Sequence, residues 1–360
     1  MTETKRTRPS WIPVEQALID ADLHNVVPHG QALLPYLSES GREYVLQSEL
    51  KGAHDASYPP NAPTSAVPGS GPDGVPPGSS LKLLQEQALD PWGVERAILC
   101  CSYGASNVRN PDAAAALASA CNDWQIAEWL EREPRLRASI VVDVKQPRAA
   151  AREIDRVGGH PGFVQVIMPV RSETLYGNRE FHPIYQAAVR HDLALALHFG
   201  GSPGTAPTPT GWPSYYVEEY VGMNQIFESQ IMNLIAEGVF DRFPTVRFAM
   251  VEGGWAWVPA WMWRMDKEWK GLRREIPWVR DPPSDYIRRH MRFTLQPVDA
   301  PNALELLRIV EHLGSDELLM FSTDYPHRHF DAPEDAMPGD LPEELRRKIL
   351  YQNARAFYRL

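Results

Sequence analysis

Eight short apolar runs punctuate the chain, and between most of them lie longer stretches whose apolar residues recur at three- and four-residue spacing. The short runs are Ala17–His24, Glu95–Ser102, Arg135–Asp143, Gly162–Pro169, Leu193–Phe199, Val246–Glu252, Met291–Gln296 and Glu317–Asp324. Several are apolar at consecutive rather than alternate positions, the pattern of strands buried on both faces. The stretches Pro111–Arg132, Gln146–Val157, Pro183–His191, Val217–Glu237, Trp255–Leu272, Asn302–Leu313 and Pro342–Tyr358 carry the one-sided apolar stripe of helices packed on a sheet, the first of them opening behind Asp112. Alternation of this kind predicts a parallel sheet, and eight strands is the number that closes it. The expected fold is therefore an α/β (β/α)8 TIM barrel, one domain over residues 1–360. An open, doubly wound sheet is the rival. It loses ground because the first strand is followed by Asp22-Leu23-His24-Asn25 and not by a glycine-rich turn.

One segment breaks the rhythm. From Ser57 to Ser80 the chain is dense in Pro, Gly, Ser and Ala and is too poor in apolar residues to build a core. It follows the first strand, so in a barrel it belongs to the catalytic end, as a lid, a partner-gripping arm or a plain insertion. A second long loop, Gly200–Tyr216, follows the fifth strand.

Composition narrows the partners. With 43% hydrophobic residues the chain can bury a sizeable core, and its formal charge of −10, without a Lys/Arg run, argues against a nucleic-acid partner. No apolar run approaches the roughly 18 residues of a membrane helix. Met1–Ser10 is basic and polar, unlike a secretory signal. Cys100, Cys101 and Cys121 form neither a disulfide framework nor a zinc-finger spacing, and read as buried thiols. The expected location is the cytoplasm.

The chemistry emerges when the strand ends are taken in order. Asp22 and His24 are two apart at the end of the first strand and so face the same way. His198 ends the fifth strand, Glu252 ends the sixth ahead of Gly253-Gly254, and Asp324 ends the eighth. The C-terminal ends of barrel strands converge, which would bring these groups to one place. Imidazole plus carboxylate suits one divalent ion, zinc first, with manganese or iron as alternatives.

In Ile19-Asp20-Ala21-Asp22-Leu23-His24, Leu195-Ala196-Leu197-His198, Val251-Glu252-Gly253-Gly254-Trp255 and Phe321-Ser322-Thr323-Asp324-Tyr325-Pro326-His327, the chain resembles the amidohydrolase superfamily. The resemblance is to the branch that includes aminocarboxymuconate-semialdehyde decarboxylase and the resorcylate-type decarboxylases. It implies Asp22, His24, His198 and Asp324 as metal ligands. Asp22 stands where many relatives have a histidine, and Glu252 where they have the strand-six histidine. Glu252 is expected outside the coordination sphere as an acid/base group, which burial would favour by raising its pKa. Asp324, His198, Glu252 and His327 are thus the candidate catalytic groups. Arg171, after the fourth strand, is placed to clamp a substrate carboxylate, and Trp255 and Gln296 to wall the pocket. His29 and His54 are weaker candidates, while His160, His182, His191, His290 and His312 read as structural.

The branch contains both hydrolases and decarboxylases. The missing strand-six histidine tips the expectation towards hydrolysis of an amide, lactone or similar bond in a small carboxylate-bearing cyclic substrate. Non-oxidative decarboxylation of an aromatic or unsaturated acid is the alternative, and a catalytically silent scaffold barrel the third. The tryptophan-rich stretch from Trp255 to Trp263 and the Pro-rich segment would suit a homodimer or higher homo-oligomer, as the resemblance also implies.

Overall fold

The computed structural model describes residues 8–13, 15–50, 65–71, 74–201, 206–208 and 210–360. Eight strands form one sheet in sequence order: β1 (Ile19–Leu23), β2 (Arg96–Leu99), β3 (Leu136–Val141), β4 (Phe163–Arg171), β5 (Ala194–Gly201), β6 (Phe248–Val251), β7 (Met291–Thr294) and β8 (Leu319–Met320). All seven successive pairs are parallel. The ring is closed between its last and first strands by backbone bonds from Ala21 N to Phe321 O (2.9 Å), His24 N to Tyr325 O (2.7 Å) and Asp324 N to Asp22 O (3.0 Å). This is the (β/α)8 barrel expected from the apolar runs.

The helices lie where one-sided spacing placed them. Pro147–Val157 buries Ala150, Ala151, Ile154 and Val157, a stripe at three- and four-residue steps. Pro111–Gln125 begins at Asn110, whose side chain accepts from Asp112 N and Ala113 N, and Ala303–Leu313 begins at Asn302, which accepts from Glu305 N. The expected helix Val217–Glu237 is divided into Tyr216–Gly222 and Asn224–Ala236. Strand β8 keeps two residues because the chain beyond it is bonded elsewhere: Phe321 N donates to Ile349 O, and Asn353 Nδ2 donates to the carbonyls of Asp316 and Leu319. Among the described residues, no helix is long and apolar enough to cross a membrane.

Of the Ser57–Ser80 segment, residues 57–64 and 72–73 lie outside the described residues, as does His54. The described part lies along the loop after β8. Val67 N donates to Pro326 O (2.8 Å), Arg328 N to Ser65 O (2.7 Å), and Ala66 forms an antiparallel bridge with His327.

Candidate active site

Asp22, His24, His198, Glu252 and Asp324 are all buried at the C-terminal end of the barrel. His24 Nε2 lies 2.9 Å from Asp324 Oδ1 and 3.6 Å from Asp22 Oδ1. His198 Nε2 is 3.6 Å from the same Asp22 oxygen and 3.9 Å from Glu252 Oε2. Four strands distant in sequence therefore deliver their polar ends to one spot. His327 Nδ1 sits 3.0 Å from Asp324 Oδ1, and His329 Nε2 contacts Asp324 Oδ2. Tyr220, from the helix Tyr216–Gly222, donates its hydroxyl proton to Glu252 Oε1 (2.8 Å) and lies 3.0 Å from His329 Nε2.

Local backbone geometry aims these groups. Glu252 and Asp324 adopt φ of 61° and 56°, a left-handed conformation that costs a non-glycine residue energy and is held only by its surroundings. For Glu252 the hold is Thr294, whose hydroxyl oxygen accepts from Glu252 N at 2.9 Å. Beyond it, Asp299 Oδ2 accepts from Trp255 N (2.6 Å) and Ala256 N (2.8 Å). A Cβ on Gly253 would stand 2.8 Å from the Phe227 ring, so the pair of glycines after Glu252 reflects close packing. For Asp324 the hold is Asp20, whose carboxylate accepts from Thr323 N (3.0 Å) and Thr323 Oγ1 (2.6 Å) across the β1–β8 seam.

The electrostatics fit a divalent cation. Both oxygens of Asp22, Nε2 of His198 and Oε2 of Glu252 are buried without a hydrogen-bond partner. A buried carboxylate left so is costly unless a cation compensates it. His198 Nδ1 is bonded to the Phe199 carbonyl at 2.7 Å, which sends the lone pair of Nε2 into the site. Burial disfavours its charged form, but Asp22 and Glu252 override this and raise its pKa to about 9: the anions that draw a proton would equally draw a metal ion. Burial, reinforced by the charge on Asp324, raises Glu252 to about 7. Burial would also raise Asp324, yet His327, His329 and the bond from His24 hold it well below the carboxylate range. Burial lowers the His327 imidazolium, but Asp324 more than offsets it, and the pKa stands at about 10.

The other expected residues fall around this centre. The carboxylate that buried Arg171 meets in this structure is that of Glu219, at 2.9 Å. Trp255 is fully buried and donates Nε1–H to Leu295 O (2.9 Å). Gln296 is buried, donates Nε2–H to Ala336 O, and contributes with His329 and Arg328 to a cleft of about 830 Å³. His29 is exposed. His160, His191 and His290 bond to Gly162 N, Asp155 and Val246 O, and His182 and His312 meet Phe243 and Trp263 edge-to-face. His329, Tyr220, Asp20 and Cys100 escape a reading of strand ends. The signal for His329 was its position two residues after His327. Tyr220 had none, because it reaches the site from a helix.

Comparison with known proteins sets this site in a family. The amidohydrolase family pattern matches residues 19–360. γ-Resorcylate decarboxylase of Rhizobium sp. MTP-10005 is 26% identical over 321 residues, covering 80% of this chain and 93% of that one. The Polaromonas sp. JS666 enzyme of the same name is 23% identical, covering 76% and 85%. Among solved structures, 5-carboxyvanillate decarboxylase of Sphingomonas paucimobilis aligns with a TM-score of 0.69 at 21% identity, over 96% of this chain and 100% of that one. Dihydroxybenzoic acid decarboxylase of Polaromonas sp. JS666, solved with manganese and 2-nitroresorcinol, aligns at 0.68 and 20% identity, over 96% and 97%. These names overturn the expectation of hydrolysis. One missing histidine was a poor guide, since a buried carboxyl near neutrality can carry a proton in its place. Zinc as first choice also lacks support: the Polaromonas decarboxylase was solved with manganese, and imidazole–carboxylate donors alone do not separate the two ions. From β1 to its last residue, this chain belongs to the amidohydrolase family.

Proposed function

We propose that this protein is a manganese-dependent, non-oxidative decarboxylase of hydroxylated aromatic carboxylic acids. The observation that carries the reading is that relatives aligned over three-quarters or more of the chain are named decarboxylases of such acids. Asp22, His24, His198 and Asp324 would hold the ion. When bound, it supplies a positive charge that neutralises the substrate's carboxylate and an adjacent ring oxygen.

The remaining work falls to the chain. His327 keeps a proton at neutral pH, lies 3.0 Å from Asp324, and is 35% exposed, so it can exchange with solvent. Asp324 is assigned the transfer of that proton to the ring carbon bearing the carboxylate. The carbon–carbon bond then breaks, its electron pair returns to the ring, and carbon dioxide departs. Net, one proton is consumed per turnover, and His327 is recharged from solvent. Glu252, held by Tyr220, lies beside them: one of its carboxylate oxygens is within 4.8 Å of donor atoms of His24, Asp324 and His327. The rings of Phe199, Tyr220 and Tyr216 (5.0 and 5.7 Å between neighbouring centroids) offer an aromatic wall to an aromatic substrate. The test is carbon dioxide release by manganese-loaded protein from 2,6-dihydroxybenzoate, 5-carboxyvanillate and related acids. Release from at least one is expected. No release from any of them, by protein shown to hold manganese, would remove the proposal.

A further inference from the structure

A pocket opens beside His198, bounded by the loop after β2 (residues 101–107), the ends of β3 and β4, and residues 198–201 of β5. Gly201 lies three residues beyond His198 on the same strand, roughly 10 Å further along at about 3.3 Å per residue. That is about the span of a benzene ring with a substituent at each end. Arg171 is in register with Gly201, and its side chain lies across that glycine: a Cβ there would stand 2.1 Å from Arg171 Nε. Among the described residues, no Asp, Glu, Lys or Arg lines the pocket itself. Arg171, behind Gly201, is thus the cation at its far end.

A guanidinium open to solvent at that point would hold a second carboxylate of the ligand in its fork. Arg171 is closed to it. Its Nη1 is 2.9 Å from Glu219 Oε1, and the two side chains are 3% and 1% exposed. Both ends of the pair are anchored: Arg171 closes β4, while Glu219 belongs to the helix Tyr216–Gly222, whose next residue, Tyr220, is bonded to Glu252. A carboxylate arriving with the ligand would have to displace Glu219 and leave it buried without its counterion, a far larger cost than an exposed ion pair returns. On the β8 side Arg328, which lines the cleft there, is likewise met by Asp331 at 3.0 Å.

We infer that Glu219 determines which acids the site accepts: by neutralising Arg171 from within the protein, it admits aromatic acids with a single carboxylate and turns away those with a second carboxylate across the ring. 2,6-Dihydroxybenzoate, with one, falls on the accepted side, and 5-carboxyvanillate, with two, on the rejected side. Specificity of this kind comes from denying the wrong ligand a partner rather than from adding contacts to the right one. The inference rests on the decarboxylase reading for the kind of ligand, but it concerns binding and not turnover.

Two unreactive probes differ only in the carboxylate at issue. In 4-hydroxy-3-methoxy-5-nitrobenzoate a nitro group takes the place of the departing carboxylate and the second carboxylate is present; 2-methoxy-6-nitrophenol is the same ring without it. Their affinities for manganese-loaded protein are read by calorimetric titration. The unaltered protein should bind the nitrophenol at least roughly 100-fold more tightly than its carboxylated counterpart. Glu219→Gln, with Glu219→Ala as second variant, frees Arg171 and should narrow the ratio to within about tenfold. Arg171→Met/Glu219→Leu loosens the same contact without freeing a cation and should keep the full preference. Manganese binding, followed by electron paramagnetic resonance, reports on the fold of each variant. Equal binding of the two probes by the unaltered protein, binding of neither, a ratio unmoved by both Glu219 variants, or the same narrowing in the double variant overturns the inference. Carbon dioxide release tests the reaction separately: release without the binding preference removes this inference alone, and the preference without release removes the decarboxylase alone.

Discussion

Manganese affinity should rise with pH across a window set by His198. Its Nδ1 is committed to the Phe199 carbonyl, so Nε2 must carry either the extra proton or the cation. Asp22 and Glu252, working against burial, keep that proton bound up to about pH 9 in the metal-free protein. Glu252 has its own transition near 7. Between about pH 7 and about pH 8.5, one proton must therefore leave His198 for each cation bound, and affinity should tighten tenfold per pH unit. Over roughly 1.5 units this is about 30-fold, or about 2 kcal/mol. Isothermal titration calorimetry in two buffers of different ionisation enthalpy reads both the affinity and the proton count. Glu252→Gln removes one of the carboxylates that hold the proton and should flatten the slope. A flat affinity with no proton released by the unaltered protein would refute the idea that proton and metal compete for Nε2.

Three further outcomes are expected. Asp324→Asn should lower carbon dioxide release roughly 10²–10⁴-fold, with metal content measured alongside; activity within a factor of two at full metal occupancy would contradict its role. Arg171→Met alone should cost about 3–5 kcal/mol in urea denaturation by stranding Glu219, and Arg171→Met/Glu219→Leu should recover most of it; equal losses in both variants would count against the pair. Metal-free protein should be most stable below the ordinary imidazole pKa of about 6.5 and lose stability as pH climbs through the folded values of about 9 and about 10 for His198 and His327. A denaturation midpoint that rises between pH 6.5 and 9.5 would exclude this linkage.

The barrel could be read from sequence because its strands are buried on both faces and leave uninterrupted apolar runs, as in Leu193–Leu197. The polar ends of those strands stood out for the same reason: Asp22, His24, His198 and Asp324 each interrupt an apolar context. Tyr220 and His329 were hidden because a helix and a loop bring them in, and neither imposes a period on function. Asp20 was visible, but its bonds to Thr323 cross a seam between residues some three hundred positions apart. Arg171 was noticed for its charge, while its buried partner Glu219 sits in a helix whose break at Met223 the apolar spacing did not reveal. The direction of the chemistry was misread because it was hung on one absent imidazole rather than on the protonation of the carboxyl that replaces it.

The junction between the first and last strands has a mechanical meaning. Asp22 and His24 stand on one side and Asp324 on the other, and there the sheet is joined by a few irregular backbone bonds rather than a regular ladder. An ion gripped from both sides would rivet the hoop at its weakest point. Removing it should loosen that joint before any other, seen as faster deuterium uptake at the amides of Ala21, His24 and Asp324, while the β4–β5 wall opposite stays as slow as before.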